Sequence, residues 1–340
     1  MDEKFITLAI ESSCDDTGIA ILNGQYDLLN SKLASQIASH SQYGGVVPEL
    51  ASRMHQEAIL PLLDEVLKSA GITDPKSQID LIAVTSGPGL MGSLLVGVMA
   101  AKGLAQALEK PIIGVNHLEG HIFANILSNR NLCPPFLSVV VSGGHTEVIL
   151  VKQLGEYKLI GSTRDDALGE AYDKVSKVLG LGYPGGPIID KLAVEGSIDS
   201  FTFPTPLSNT NKVEFSFSGL KTAVMNAVQK KNKLSEPFNN CDLCASFQKA
   251  AINSLICKIQ LAMVQTQVTS LTLSGGVAAN SALRKELTLL SEKLNWNLFL
   301  PPKDMCTDNA AMIAAAGYCA YKRGIRSDLS LSPNPSWEIW

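Results

Sequence analysis

The sequence predicts an α/β protein made of two duplicated halves with a cleft between them. The first observation is a repeated hairpin pattern. Apolar and β-branched runs at 5–11 and 18–22 are joined by the turn Asp15-Asp16-Thr17-Gly18, and runs at 136–141 and 147–151 are joined by Ser142-Gly143-Gly144-His145-Thr146. The second observation is a strand, a glycine turn, a helix and a further strand, a series that occurs once in each half. The two halves resemble each other in this pattern rather than in residue identity.

The second repeated pattern ends in polar side chains in both halves. Its segments are 80–86, Gly87-Pro88-Gly89, a helix and 111–115 in the first half, and 271–274, Gly275-Gly276, 280–294 and 297–300 in the second. His117 and His121 follow the pattern in the first half, and Asp308 follows it in the second. Each half is therefore expected to deliver metal-binding side chains from the same structural position, with the metal bridging the two halves.

Length and composition fit a globular protein with two domains. The chain has 340 residues, of which 46% are hydrophobic and 18% are charged. We expect an N-terminal half at 1–132 and a C-terminal half at 133–307. The last helix, at about 308–325, is expected to pack back onto the N-terminal half, and residues 326–340 are expected to form a loose tail.

The charge balance and the apolar segments restrict the class of protein. A net charge of −4 excludes a strongly basic nucleic-acid binder, so an RNA substrate would need a local basic patch or a partner protein. No signal peptide is recognisable, and the apolar run 94–108 is too short for a membrane span and predicts a buried helix. Seven cysteines without a disulfide framework favour the reducing cytoplasm. No membrane association is expected, since the apolar run is too short.

The most informative motif is His-Leu-Glu-Gly-His at residues 117–121. Residues i and i+4 share one helix face, so both imidazoles can reach a single zinc or iron ion. The alternatives are two unrelated surface histidines and, for Asp308, a helix N-cap. In the HExxH motif of zinc proteases the glutamate directly follows the first histidine, whereas Glu119 comes one position later and would point off the histidine face. A protease is therefore disfavoured.

Glycine-rich turns predict a phosphate-containing ligand. Such turns lie at strand ends or helix starts at 87–89, 142–144, 185–186 and 275–276, where backbone N–H groups can approach an anion. There is no GxxxxGK[ST] and no GxGxxG after the first strand, so neither a P-loop enzyme nor a dinucleotide-binding fold is expected. Asp15 and its neighbour could contact a metal-bound phosphate or simply make the turn.

Taken together, several motifs resemble those of the tRNA N6-adenosine threonylcarbamoyltransferase family (TsaD), closest to its bacterial branch. They are Glu11-Ser-Ser-Cys-Asp-Asp-Thr-Gly18, Ser86-Gly-Pro-Gly89, His117-Leu-Glu-Gly-His121, Val141-Ser-Gly-Gly-His145, Gly169-Glu-Ala-Tyr-Asp-Lys174, Tyr183-Pro-Gly-Gly-Pro187, Phe215-Ser-Phe-Ser-Gly-Leu-Lys221, Ser274-Gly-Gly-Val-Ala-Ala-Asn280 and Cys306-Thr-Asp-Asn309. The similarity runs in order from about residue 5 to 325. One small departure is Ala310, where many members have glycine.

The resemblance implies an actin-like (ASKHA) fold and a defined reaction. Members transfer a threonylcarbamoyl group from threonylcarbamoyl-AMP to N6 of adenosine 37, in tRNAs that read codons beginning with A, and release AMP. Metal ligands implied by the family are His117, His121 and Asp308, for iron or zinc. Contacts to the acyl-adenylate implied by the family are Val141, Ser142, Gly143, Gly144, His145, Asp173, Gly186, Asp190 and Asn280. Asp15 matches a position that matters for turnover, without an assigned proton-transfer role.

The resemblance also implies partner proteins, and three alternative functions remain to be distinguished from the transferase. The bacterial branch is expected to need a paralogous partner, TsaB, and a small ATPase, TsaE, besides tRNA. The rivals are a carbamoyltransferase of the same fold group that acts on another acceptor, a non-catalytic ATP-binding scaffold and a glycoprotease. The absence of appended domains disfavours the first rival, and the complete metal-ligand set disfavours the second.

Overall fold

A computed structural model describes residues 4–24, 26–235 and 237–340. It divides into two compact units. Unit 1 contains the chain up to Asn131 together with Thr307–Trp340, and unit 2 contains Leu132–Cys306. The chain therefore leaves unit 1 once and returns to it just before its last helix.

Each unit begins with three consecutive strands, after which helices and further strands follow. The strands are β1 Ile6–Glu11, β2 Asp16–Asn23, β3 Leu28–Ser35, β4 Leu81–Gly87, β5 Ile112–Asn116, β6 Phe136–Val141, β7 Thr146–Gln153, β8 Glu156–Thr163, β9 Glu214–Phe215, β10 Ser270–Ser274 and β11 Asn297–Phe299. The helices are α1 Ile37–Ser41, α2 Pro48–Ser69, α3 Pro75–Gln78, α4 Met91–Leu108, α5 His117–Ser128, α6 Leu168–Val178, α7 Gly185–Ala193, α8 Ser218–Lys233, α9 Asn240–Thr266, α10 Ser281–Leu294 and α11 Ala310–Lys322.

The two sheets share one topology, which confirms the predicted duplicated α/β fold. Unit 1 has a five-stranded sheet in the order β3-β2-β1-β4-β5, and unit 2 has a six-stranded sheet in the order β11-β10-β6-β7-β8-β9. In unit 1, β1 pairs antiparallel with β2 and parallel with β4. In unit 2, β6 likewise pairs antiparallel with β7 and parallel with β10. Their almost fully buried apolar residues explain why β1, β4 and β6 are central strands.

Helix α4 covers the unit 1 sheet with one face only. Its buried side includes Leu94 and Val98, whereas Met91, Leu95 and Met99 are exposed along the opposite side. The sequence-based expectation of a buried helix is therefore correct for one face. Among the described residues, α4 alone meets the length and composition of a membrane span, a criterion that core helices also meet.

The C-terminal residues differ from the loose tail expected from the sequence. Ser327 forms an isolated antiparallel bridge with Ile112 on the outer edge of β5. Further along, the Asn334 N–H donates to the Ser86 carbonyl at 2.7 Å, and the Gly89 N–H donates to the Pro335 carbonyl at 3.2 Å. This segment has no regular element, but its backbone is hydrogen-bonded to unit 1.

Candidate metal centre

Helix α5 begins at His117, directly after the buried strand β5. Asn116 caps it, because its Oδ1 accepts from the N–H groups of Leu118 at 2.8 Å and Glu119 at 3.4 Å. The cap fixes the first turn of the helix. His117 and His121 are one turn apart on the same face, with ring centroids separated by 4.7 Å. The local sequence thus places both imidazoles at the end of the parallel strands.

Asp308 completes the cluster from the segment where the chain re-enters unit 1. Its Oδ1 lies 3.3 Å from Nε2 of His117 and 3.3 Å from Nε2 of His121. The alternative role as an N-cap is wrong, since Asn309 caps α11 by accepting from the Met312 N–H at 3.0 Å. The prediction that ligands come from both halves is also wrong, because all three residues belong to unit 1.

Gly120 allows α5 and α11 to approach each other. A Cβ atom at this position would lie 2.7 Å from Cδ1 of Ile313, which is closer than packed atoms tolerate, and 3.2 Å from Cγ of Met312. The glycine in His-Leu-Glu-Gly-His therefore has a packing role. It lets α11, which follows Asp308, lie against the helix that carries the histidines.

The cluster of His117, His121 and Asp308 (the His-His-Asp cluster) fits a metal ion. One ligand atom from each residue lies within 4.8 Å of the others. Both ring nitrogens of His121 are buried without a hydrogen-bond partner, although Nε2 is close to Asp308. Buried polar atoms are normally satisfied, and a cation in the cluster would be the missing partner of Nε2. Two imidazoles and one carboxylate suit zinc or ferrous iron.

Glu11 orients His117 and was not predicted as a site residue. Its fully buried carboxylate accepts from the Nδ1–H of His117 at 3.1 Å, which leaves Nε2 facing the cluster. The same carboxylate accepts from Ser13 N–H at 2.6 Å and Thr85 Oγ1 at 2.5 Å. A carboxylate behind a ligating histidine is a common support of metal sites. The sequence signal that could have identified Glu11 is its position as an acidic residue at the end of an otherwise apolar strand.

The electrostatics of the cluster favour a positive charge at its centre. Burial opposes protonation of His117, but the carboxylates of Asp308 and Glu11 outweigh it and raise the pKa of His117 well above its ordinary value. Burial likewise opposes ionisation of Asp308, yet the two histidines hold its pKa well below the usual range. For His121 burial dominates and lowers the pKa. A metal cation would supply the charge that the His117 proton supplies otherwise.

Asp15 and Asp16 lie in and after the turn that follows β1. Among the described residues, neither aspartate belongs to the cluster of potential metal ligands. Burial raises the pKa of Asp15, and burial together with the Asp308 and Asp15 carboxylates raises the pKa of Asp16 to about 7. The raised pKa values of Asp15 and Asp16, to which the Asp308 carboxylate contributes, indicate an acidic region that a cation would stabilise.

Buried His55 of α2 holds this turn in place. Its Nε2–H donates to the Cys14 carbonyl at 2.9 Å, because a carbonyl can only accept. Nδ1 is then the acceptor for the Thr17 hydroxyl at 2.7 Å. Both bonds require the neutral imidazole, and burial correspondingly lowers the pKa of His55.

Protonation of His55 is expected to destabilise the protein at acidic pH. A histidine in the unfolded chain has a pKa near about 6.5, and the folded-state value is lower, so the unfolded state binds the proton first. This stabilisation is present above about pH 6.5 and is lost as pH falls towards the folded pKa, by at most about 1.4 kcal/mol per pH unit. Urea unfolding at several pH values should show a shallower acid loss in His55→Gln than in the wild type. Identical pH profiles would contradict this role.

The predicted acyl-adenylate contacts all lie in unit 2. Val141 ends β6, and Ser142 begins a tight turn in which the His145 N–H donates to Ser142 Oγ at 3.1 Å. Gly143 and Gly144 at its tip face open space, since a Cβ there would meet no atom within 4 Å. The backbone of this turn is therefore accessible to a ligand.

Asp173 and Gly186 are connected through the start of α7. Asp173 Oδ1 accepts from the Gly185 N–H at 2.7 Å, so this amide is already used and does not serve the anion role expected from the sequence. Gly186, the next residue, has open space where a Cβ would be. The Asp173 carboxylate thus fixes the first turn of α7, and the backbone at Gly186 remains open to a ligand.

Asp190 and Asn280 are joined by Gln248 of α9, a residue that the sequence did not single out. Gln248 Nε2 donates to Asp190 Oδ1 at 3.1 Å, and its Oε1 accepts from Asn280 Nδ2 at 2.8 Å and the Tyr172 hydroxyl at 3.3 Å. Asp190 also accepts from the N–H of Ser281 at 2.9 Å. Gln248 is 5% exposed. A lone glutamine in a long helix carries no sequence signal, because its role depends on long-range contacts.

Comparison with solved structures defines the class of protein. A crystal structure of HypF in its phosphate- and nucleotide-bound form matches 94% of this chain and 56% of its own, with 14% identity and a TM-score of 0.63. Component A of (R)-2-hydroxyglutaryl-CoA dehydratase from Acidaminococcus fermentans matches 94% of this chain and 98% of its own, with 14% identity and a TM-score of 0.55. The chain thus has an actin-like (ASKHA) fold, as predicted, with a His-His-Asp cluster in unit 1.

Sequence comparison then identifies the family. The model of the tRNA N6-adenosine threonylcarbamoyltransferase family (TsaD) matches residues 27–315. A protein of that name from Thermosipho africanus is 51% identical over 98% of this chain and 100% of its own length. Another from Clostridium perfringens is 49% identical over 100% of this chain and 99% of its own. The chain belongs to the tRNA N6-adenosine threonylcarbamoyltransferase family.

Membership confirms the predicted reaction. The protein is a transferase that modifies tRNA by transferring a threonylcarbamoyl group to N6 of adenosine 37. The rival carbamoyltransferase and scaffold functions are not favoured. Glu119 agrees with the exclusion of a zinc protease, because its Oε1 lies 3.7 Å from Nη1 of Arg323 rather than in the cluster. Members of the family are metal-dependent in general.

Proposed function

We propose that His117, His121 and Asp308 hold one divalent ion, Fe²⁺ or Zn²⁺, that this transferase requires. The convergence of the three ligand atoms carries the proposal, together with the buried ring nitrogens of His121, which form no hydrogen bond. When bound, the ion supplies Lewis-acid stabilisation and a template for substrate oxygens, because three protein ligands leave coordination positions open. Glu11 keeps His117 in the tautomer that presents Nε2.

We further propose that unit 2 binds threonylcarbamoyl-AMP as the donor. Val141 to His145 would take its anionic oxygens, since the Gly143 and Gly144 backbone is open. Asp190 and Asp173 could accept from hydroxyl or amide groups of the donor. The carboxylates are held by Gln248 and Gly185, so they are oriented before the ligand arrives.

The chemistry of the two substrates explains why the main task of the protein is to orient them. The donor is a mixed carbamic–phosphoric anhydride, and AMP is a good leaving group. N6 of adenine is a poor nucleophile, because its lone pair is delocalised into the ring. The protein must align N6 with the carbonyl carbon and stabilise the negative charge that develops on oxygen. Asp15 is proposed to matter for turnover, and we assign it no proton-transfer step.

The partners and the compartment are also proposals. The acidic chain favours help in binding tRNA, and the bacterial branch of the family is expected to act with TsaB and TsaE in the cytoplasm. The substrates would be tRNAs that read codons beginning with A. Incubation of the protein with threonylcarbamoyl-AMP, tRNA, ATP and these partners, followed by nucleoside mass spectrometry, is the assay for the whole proposal.

Gln248→Leu tests donor binding by unit 2. We expect the KM for threonylcarbamoyl-AMP to rise about tenfold, which corresponds to about 1.4 kcal/mol, because Asp190 and Asn280 lose their common partner. Metal content should not change, since Gln248 lies in unit 2 and the cluster lies in unit 1. Steady-state kinetics and metal analysis of the same preparation measure both quantities.

Lys249→Ala is the matched control. Lys249 is the next residue on α9 and forms an exposed ion pair with Asp199 at 2.7 Å, so its removal should leave the KM near the wild-type value. An unchanged KM in folded Gln248→Leu would contradict donor binding at Asp190 and Asn280.

A further inference from the structure

We propose that the C-terminal residues 327–340 (the C-terminal strap) position the metal-binding histidines. The inference rests on the proposed metal site and concerns how unit 1 builds it. The strap lies along unit 1 and connects to the start of α5 by two separate sets of contacts. A segment that is irregular in sequence would thus determine metal affinity.

The strap is first fixed to the edge of β5. The Ser327 N–H donates to the Ile112 carbonyl at 3.1 Å, and the Gly114 N–H donates to Ser327 Oγ at 3.1 Å. Leu331 then covers Gly114, where a Cβ would be 2.7 Å from Leu331 Cδ1. These contacts fix the direction of the strap towards the end of β5 where α5 begins.

The strap next contacts the glycine turn after β4. The Asn334 N–H donates to the Ser86 carbonyl at 2.7 Å, and the Pro335 carbonyl accepts from the Gly89 N–H at 3.2 Å. At Gly87, which has a φ of +155°, a Cβ would lie 1.9 Å from the Asn334 carbonyl oxygen. Only glycine permits this approach, so the turn is shaped to receive the strap.

The first connection to the metal centre runs through Asn116. Its Nδ2 donates to the Trp337 carbonyl at 2.9 Å, while its Oδ1 caps the first turn of α5. One buried side chain therefore joins the strap to the helix that starts with His117. Without the strap, the Asn116 amide keeps its bonds to the first turn of α5 but loses the bond from Nδ2 to the Trp337 carbonyl.

The second connection runs through Ser13. The Leu90 N–H, next to the strap-bound Gly89, donates to the Ser13 carbonyl at 2.8 Å. Ser13 Oγ lies 3.2 Å from Nδ1 of His117, beside the Glu11 carboxylate. The first connection ends at the first turn of α5, which carries His117, and the second ends at the His117 ring, so the strap supports this ligand through its backbone and its side chain.

Truncation after Ser332 tests the inference by metal affinity rather than by activity. We expect the dissociation constant for Zn²⁺, from competition with a chromophoric chelator, to rise about tenfold, as for other residues behind metal ligands. The visible spectrum of bound Co²⁺ should change as well, because the orientation of His117 changes. Far-UV circular dichroism confirms that the sheet of unit 1 is retained.

Two further variants keep the test decisive. Asn116→Ser keeps an N-cap but removes the amide that reaches Trp337, so it should weaken Zn²⁺ binding even if the truncated chain fails to fold. A chain that ends at Glu338 lacks only residues beyond the last of these bonds and should bind like the wild type. Wild-type affinity and an unchanged Co²⁺ spectrum in folded Asn116→Ser, or in the folded truncation, would overturn the inference. A wild-type chain that binds no Zn²⁺ or Fe²⁺ would instead refute the proposed metal site.

Discussion

Replacing both His117 and His121 by alanine is expected to remove the metal and reduce tRNA modification by about three orders of magnitude. A metal that stabilises developing charge contributes several kcal/mol, and about 1.4 kcal/mol corresponds to tenfold in rate. Asp308 alone retains one ligand atom, which does not suffice for a stable site. The measurement is the yield of N6-threonylcarbamoyladenosine, by nucleoside mass spectrometry, in the complete reaction.

Glu119→Gln is the control for this double variant. Glu119 lies on the same helix between the two histidines, but it faces Arg323 and lies outside the cluster. Its replacement should leave metal content and modification close to wild type. A folded double variant that keeps full modifying activity would show that the cluster is not needed.

Glu11→Gln is expected to lower metal affinity by about tenfold to a hundredfold, as observed for carboxylates behind ligating histidines. The glutamine has the same shape, but its amide NH₂ must face one of the three donors that the carboxylate accepts: Ser13 N–H, Thr85 hydroxyl or His117 Nδ1–H. The loss of negative charge also makes the imidazole a poorer ligand. Chelator competition with Zn²⁺ measures the effect.

Asp80→Asn provides a matched control for the lost carboxylate. Asp80 accepts from the Ile6 N–H at 2.8 Å, at the opposite end of β1 from Glu11. Its replacement should change stability slightly and leave the Zn²⁺ dissociation constant unaltered. Equal affinities in Glu11→Gln and wild type would contradict the supporting role of Glu11.

Much of the site could be predicted, because its ligands follow local patterns. The spacing of His117 and His121 indicates a shared helix face without knowledge of the fold. The repeated strand patterns also predicted both sheets, since apolar β-branched runs and glycine turns are local signals. The prediction that each half supplies metal ligands was wrong for a long-range reason: Asp308 follows the repeated pattern of the second half, but the chain returns to unit 1 at Thr307, and α11 packs against α5 through Gly120.

Other features could not be read from the chain because they depend on contacts between distant residues. Glu11 meets His117 only through the fold, and Gln248 gains its role from partners on three other segments. Strand β3 was missed, since its exposed edge position gives it a mixed polar pattern. The strap has no periodicity at all; its order comes from backbone bonds to the edge of β5 and the turn after β4.

Metal content per chain is the most direct test of the central claim that the His-His-Asp cluster holds the ion this transferase requires. Inductively coupled plasma mass spectrometry should find about one iron or zinc ion per wild-type chain. It should find almost none in His117→Ala/His121→Ala protein that retains its far-UV circular dichroism spectrum. Equal metal content in the two proteins, with equal N6-threonylcarbamoyladenosine yield, would contradict the account.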